Sequence, residues 1–463
     1  MSATKRDQAE AHAYHRRRVA AAFVGGMPAD ARAAAGGAGP GEGGEPELGS
    51  PLRSLGVGAL LAVLVVAGWW AWGLVSPRLE PGWEDAAFVV VRGTGARYVA
   101  LEGVVHPVRN ATSARLALPA GSFVVRDVAA GDLAGVRRGA PLGIEGAPDA
   151  PPPRDRLVAG PWETCALGAD ETATRIGLPT VSTTSPLAVV AVGDRVSLVA
   201  DGVRHDVVGP SPAAVLRAVG LQAVRPSQVP QSWLAVFPRG TDLGPLGLPG
   251  AGRPLPAELG IRGARVGTVV RVPTGAGTAQ FVVSPAGELA VLSEVAAAMY
   301  ALGSGAAADV VDATPVALAG LATAEVAVAP ADWPERVLPP ATGAPCALLT
   351  TSDSGGEPGV RVGVVEPAEL AGLPAGVEVV AGGGVLARAA DHEVRAGGRA
   401  PGGLSLVDEA GSVFGLPGAD DETLARLGYR PTDPVPVPAA WLGLLPPGPA
   451  LTTAAARGGT DGG

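Results

Sequence analysis

A chain of 463 residues with 44 acidic and 35 basic side chains can bury more than one core, and it is too acidic to track a phosphate backbone. Nucleic acid is therefore excluded as a partner. Alanine, glycine, valine, proline and arginine dominate, and the only lysine is Lys5, which excludes a Walker A loop because that loop needs its lysine to neutralise phosphates.

The first predicted element is a helix over residues 6–23. It carries Asp7 and Glu10 early and Arg16, Arg17 and Arg18 late, the polarity the helix dipole prefers. Gly25 and Gly26 stop it, and a Gly/Pro/Glu/Ala tether follows from Ala33 to Ser50. Residues 55–75 then read LGVGALLAVLVVAGWWAWGLV without a charge. As a helix at ~1.5 Å per residue this run matches a ~30 Å hydrocarbon core. Arg53 and Arg78 close its ends, and Trp69, Trp70 and Trp72 cluster where indoles favour the headgroup interface. No A-x-A site follows, so the run reads as a signal-anchor rather than a cleaved leader. The remaining reading, a buried core helix, would need a domain built around a helix apolar on every face.

Beyond this run one pattern recurs four times: a β-branched strand, a tight turn, a returning strand and a capped helix. The turns fall at Glu102-Gly103, Asp201-Gly202, Ala286-Gly287 and Ala410-Gly411. The helices run from about Ala111 to Leu118, from Ser211 to Gly220, from Ser293 to Gly303 and from Asp420 to Gly428, with Ser211, Ser293 and Asp420 as N-caps and Pro212 at a first helical position. Trp233-Leu234 before Phe237-Pro238-Arg239-Gly240 matches Trp441-Leu442 before Leu445-Pro446-Pro447-Gly448, and these tryptophan–leucine pairs are the candidate repeat-core and assembly residues. The copies are unevenly spaced, so a solenoid of fixed period is excluded.

The two cysteines, Cys165 and Cys346, have no CxxC or metal-type spacing. In an exported body an even pair reads as a disulfide, and the other reading is two unrelated buried thiols. Body outside and head in the cytoplasm is the consistent topology. His106 and His205 each lie three residues after a turn glycine, which points to a role in the module. Asp194, Asp201 and Asp206 fit turns and solvated strand faces, Asn110-Ala111-Thr112 is a lone glycosylation triplet, and Gly382-Gly383-Gly384 lacks the context of a phosphate cradle. His12, His15 and His392 join no constellation. No catalytic, cofactor-binding or metal-ligating set is read.

The chain resembles the EccB family, the membrane core component of actinobacterial type VII (ESX) secretion systems. The resemblance is carried by Arg6-Asp7-Gln8 with His12, Tyr14 and Arg16-Arg17, and by the single apolar run. It continues through Gly95–Val99, His106–Asn110 and Ser113–Leu116, and through Arg138–Pro151. Trp162 shortly before Cys165, and Pro345-Cys346-Ala347, complete it. It implies an α+β protein: an N-terminal cytoplasmic helix, a single transmembrane helix, and an elongated periplasmic body of hairpin/helix modules around a central β-rich domain with one disulfide. The expected domains are a head at 1–54, a transmembrane helix at 55–75, a body at 76–450 and a disordered tail at 451–463. The expected role is assembly, with other copies of the chain, an FtsK/SpoIIIE-like motor ATPase, other ESX membrane components and a mycosin-type protease as partners. An ATP-hydrolysing component, a cell-wall hydrolase and a wall-binding or sensory ectodomain are the rival readings.

Overall fold

The computed structural model describes residues 51–75, 83–255, 261, 263–275, 277–304, 309–325, 327–350, 358–390 and 402–458. The expected head helix, the tether to residue 50, and His12, His15, Arg78 and His392 lie outside them. The chain divides into two compact units between Arg78 and Leu79.

In the first unit a helix of 25 residues runs from Pro51 to Val75. Its side chains are described at Gly56 and over 58–69, where Leu60, Leu61, Val63, Leu64, Val65, Val66 and Trp69 are all exposed. The side chains of Arg53, Trp70 and Trp72 are not among those described. Counted over the described residues alone, no helix is long and apolar enough to cross a membrane. The helix expected at 55–75 thus exists as a helix, and its membrane crossing rests on the sequence.

The second unit is sheet-rich, with short helices. Its first module pairs Ala86–Val91 with Arg97–Leu101, and that strand with Val104–Pro107, all antiparallel. The Glu102-Gly103 turn has φ of 52° and 75°, the twist that two-residue hairpins favour. Helix Ala111–Ala117 follows, capped by Asn110, whose side chain accepts from the Ser113 amide. Strand Val125–Val128 then returns parallel to Ala86–Val91, on the side away from the hairpin.

The other modules repeat this order. In the second, Leu187–Val192, Arg195–Ala200 and Val203–Asp206 are followed by helix Pro212–Ala218 and the short parallel strand Ser227–Gln228. In the third, Val269–Thr274, Gly277–Val283 and Leu289–Leu292 precede helix Glu294–Ser304 and strand Val310–Asp312. In the fourth, Val385–Ala390, Leu404–Val407 and Val413–Leu416 precede helix Asp421–Leu427 and strand Val435–Pro438. The four expected hairpins and helices are all present. Ser211, Ser293 and Asp420 accept amide hydrogen bonds as caps, and Gly428 closes its helix at φ 96°.

Between the modules lies a six-stranded sheet in the order Gly376–Val379, Thr172–Ile176, Trp162–Ala166, Ala344–Thr350, Gly359–Val365, Thr183–Thr184. Three strands come from the chain between modules one and two, and three from the chain between modules three and four. The body is therefore a duplication: module, three strands, module, twice over.

The halves interlock. Helix Ala111–Ala117 of module one shares a core with Leu424 and Leu427 of module four, and module two shares one with Val295 and Met299 of module three. Each half's first module thus docks on the second module of the other half.

The tail expected to be disordered at 451–463 is corrected over its first eight residues. Leu451 and Ala456 are buried, Thr453–Ala456 is a helix, and Arg457 donates from Nε and Nη2 to the Ala117 carbonyl at 3.1 and 2.8 Å. Sequence alone reads a run of small residues as unstructured, but here their size allows close packing on helix Ala111–Ala117.

Candidate functional site

Six of the residues singled out in the sequence, Cys165, Cys346, Trp233, Leu234, Trp441 and Leu442, converge on the central sheet and its core. Cys165 and Cys346 sit directly opposite each other on its two middle strands and form a disulfide, so the reading of two separate thiols falls. Both are fully buried. Glu163, on the same strand as Cys165, is the third member of the one close group of potential metal ligands among the described residues. With both sulfurs bonded to each other, that group has no thiolate to offer a metal. The Glu163 carboxylate instead accepts from the Ser182 amide at 2.9 Å, the Ser182 hydroxyl at 2.6 Å and the Val181 amide at 3.1 Å, with Arg175 at 3.4 Å. It pins the 177–182 loop to the sheet.

Trp233, Leu234, Trp441 and Leu442 are all buried in one core with Trp162. Trp233 donates from Nε1 to the Thr164 carbonyl at 3.0 Å, and Trp441 meets Trp162 edge to face with centroids 6.3 Å apart. These pairs fasten modules two and four to the central sheet, so they form an interior core and not an exposed contact surface. The hairpin tips of the same two modules also meet the sheet. A Cβ at Gly202 would fall 2.2 Å from the Val360 carbonyl oxygen, and one at Gly411 would fall 2.6 Å from Val377. Both glycines have positive φ, and only glycine fits this approach.

The two histidines equivalent by repeat do equivalent things. His106 Nδ1 pairs with the Ala140 carbonyl at 3.0 Å, and His205 Nδ1 with the Thr241 carbonyl at 2.8 Å. Each ring lies against a glycine one residue earlier, Gly139 or Gly240, and Phe414 lies against Gly448 in module four. In each case the glycine amide donates to the carbonyl of the residue before the ring or its immediate neighbour in the strand: Gly139 to Val105, Gly240 to Arg204, Gly448 to Val413. Module three has Ala290 at the ring position and Ala324 at the glycine position, and Ala324 donates to Leu289. Ring and glycine are exchanged together for two alanines. Sequence reasoning found both Gly240 and Gly448 in the shared tail but not what they seat.

Ionisable groups cluster where modules meet. Arg154 grips Asp433 at 2.7 and 2.9 Å, and this hydrogen-bonded pair holds the Asp433 carboxyl below its ordinary value. Tyr429 donates to the Pro152 carbonyl at 2.8 Å, and burial pushes its hydroxyl well above the ordinary tyrosine value. Burial alone would raise Asp332, but hydrogen bonds from Thr241 outweigh it and leave this carboxyl lowered. Arg426 donates to the carbonyls of Leu116 and Leu118 at 3.0 and 2.6 Å, closing the end of a helix in another module. Asn110, in the glycosylation triplet, is buried as a cap, donating to the Ile144 carbonyl. Asp201 occupies its turn and Asp206 accepts from Ser197. The polar groups named here hold backbone and neighbouring modules.

A repeat-built α+β body, duplicated around a stapled sheet, is the class of protein this geometry defines. The family description "Type VII secretion system ESX-1, transport TM domain B" matches residues 1–462, and the chain belongs to that family, EccB. It is 30% identical over 276 residues to the ESX-1 secretion system ATPase EccB1 of Mycobacterium tuberculosis, covering 54% of each chain. It is 29% identical over 441 residues to the ESX-3 secretion system ATPase EccB3 of Mycolicibacterium smegmatis, covering 86% of this chain and 82% of that one. The chain spans about half the length of the EccB1 and EccB2 relatives it matches. Among solved structures, a chain of an intact ESX-5 inner membrane complex aligns with a TM-score of 0.62 at 22% identity, covering 100% of this chain and 96% of that one. An EccB3 dimer from the ESX-3 core complex aligns with a TM-score of 0.61 at 23% identity, covering 80% and 99%. These alignments establish a shared fold.

Proposed function

We propose that the chain is a structural subunit of a type VII (ESX) secretion complex of the inner membrane. In this reading the helix Pro51–Val75 crosses the membrane once, the N-terminus is cytoplasmic, and the body associates with other copies on the exported side. A motor ATPase, other ESX components and a mycosin-type protease complete its surroundings. The observation that carries the reading is the family match along residues 1–462, and the ESX-5 inner membrane complex supplies the comparison for fold and setting. Support for the membrane helix comes from its 25 residues and the apolar side chains exposed around it.

Several relatives are named as ATPases. That activity is not favoured here, because the only lysine is Lys5 and no phosphate-binding loop of the usual kind can be built without one. Nor does the body favour wall binding: among its described residues every Trp, Tyr and Phe is buried or half-buried, leaving no exposed aromatic platform for sugar rings. The test is gentle solubilisation of tagged protein from its native membranes, followed by native electrophoresis and mass identification. A very large particle containing the motor ATPase is expected. A lone monomer, with the partners expressed, would overturn the reading.

A further inference from the structure

The two halves of the body are incomplete without each other. Strand Gly376–Val379 of the second half pairs with Thr172–Ile176 of the first, and Thr183–Thr184 of the first pairs with Gly359–Val365 of the second. The middle pair, Trp162–Ala166 with Ala344–Thr350, joins the halves directly. At the centre of this seam lies the one covalent cross-link of the body, between residues 181 apart in sequence. Both outer docks, module one on four and module two on three, also join one half to the other.

Those two docks are not equally tethered. Modules two and three are neighbours in the chain, so they stay close whatever the seam does. Module one and module four are far apart in the chain. They are joined through the central sheet, by the core that Leu116 and Ala117 share with Leu424 and Leu427, and by the contacts of Arg426 and Arg457. Tyr429 and Asp433 hold the Pro152 and Arg154 segment that follows module one. If the seam opens, the dock of module one on module four is the one that no short stretch of chain holds together.

We propose that the Cys165–Cys346 bond is a compartment-dependent lock, which holds module one on module four only after the chain has reached the oxidising side. The inference rests on the exported-side reading of the body. The chemistry is thiol–disulfide exchange with a protein disulfide donor. The two cysteines give up two protons and two electrons, one S–S bond forms here, and the donor's S–S bond breaks to a dithiol. Because both sulfurs are fully buried, the bond is made before or during closure and is then shielded from reductant. A copy kept in a reducing compartment lacks the lock, and its module one is free of module four.

The experiment uses the full-length chain purified in detergent from native membranes. Alkylation in the cells first traps the cysteines, which are expected to be bonded. The protein is then reduced under mild denaturant, returned to buffer, and compared with the oxidised form by hydrogen exchange. A Cys165→Ser/Cys346→Ser double variant is run in parallel, and if it fails to accumulate the reduced wild type carries the measurement. Peptides covering 111–118 and 421–429 are expected to exchange at least about tenfold faster without the bond, while peptides covering 187–200 are unchanged. Unchanged exchange at 111–118 and 421–429 with both thiols free would overturn the lock alone. Free thiols in the cells would overturn the exported-side reading beneath it.

Discussion

Phe414 and Gly448 are fitted to each other: a Cβ at position 448 would fall 2.2 Å from the ring's Cε1. The ring is buried in the core shared by modules one and four and has nowhere to retreat. Gly448→Ala is expected to lower stability by about 1–3 kcal/mol, the usual range for overpacking. Gly139→Ala meets the His106 ring, which is half-buried and can swing toward solvent, so its cost is expected to be smaller. Chemical denaturation midpoints of the two variants, compared side by side, check the order.

Glu163 is a buried carboxylate whose acceptors are filled by Ser182, Val181 and Arg175. Glu163→Gln would turn one acceptor oxygen into a donor facing other donors. A loss of about 2–4 kcal/mol is expected, together with release of the 177–182 loop. Proteolysis within that loop, absent in the wild type and present in the variant, is the readout.

Trp233 and Trp441 occupy matching places but differ at Nε1. Trp233 donates to Thr164, whereas Trp441 Nε1 has no hydrogen-bond partner among the described residues. Replacing either by Phe opens a similar cavity, and only Trp233→Phe also breaks a hydrogen bond. Trp233→Phe is expected to be the more destabilising by about 1 kcal/mol, measured by denaturant unfolding.

Acid should loosen the body in a defined window. Asp433 lies below its ordinary value chiefly through its hydrogen bonds from Arg154, and Asp420 and Asp332 are shifted the same way. A carboxyl whose folded value is depressed contributes fully above its unfolded value, near ~3.9, and loses that contribution as pH falls through the folded value. The thermal midpoint is expected to be level from about pH 7 to 5 and to fall below about pH 4. Asp433→Asn should make that fall shallower, which a series of melts at stepped pH will show.

What sequence revealed and what it hid divide along a physical line. The hairpins and caps were legible because Asp201-Gly202, Pro212 and Asp420 act on their immediate neighbours. The disulfide was legible because there are only two cysteines. The closing strand Ser227–Gln228 was not, since two residues carry no periodicity and their partners, Val190 and Ala191, lie far back in the chain. The central β-rich domain was expected only through the family resemblance, and its strand order was not legible, since its middle strands meet across 181 residues of chain. Trp233 and Trp441 were found by their repetition, but repetition does not say whether a side chain faces its own core or another molecule.

The return of the C-terminus to module one also sets a schedule. Arg457 closes on Ala117 across 340 residues of chain. At ~5–20 residues per second, synthesis of that stretch takes roughly 20–70 s. Throughout this time the face of helix Ala111–Ala117 that later meets Leu451 and Ala456 has no cover from its own chain. Module one is thus made early in the body, while one face of its helix waits for residues 451–457 to cover it.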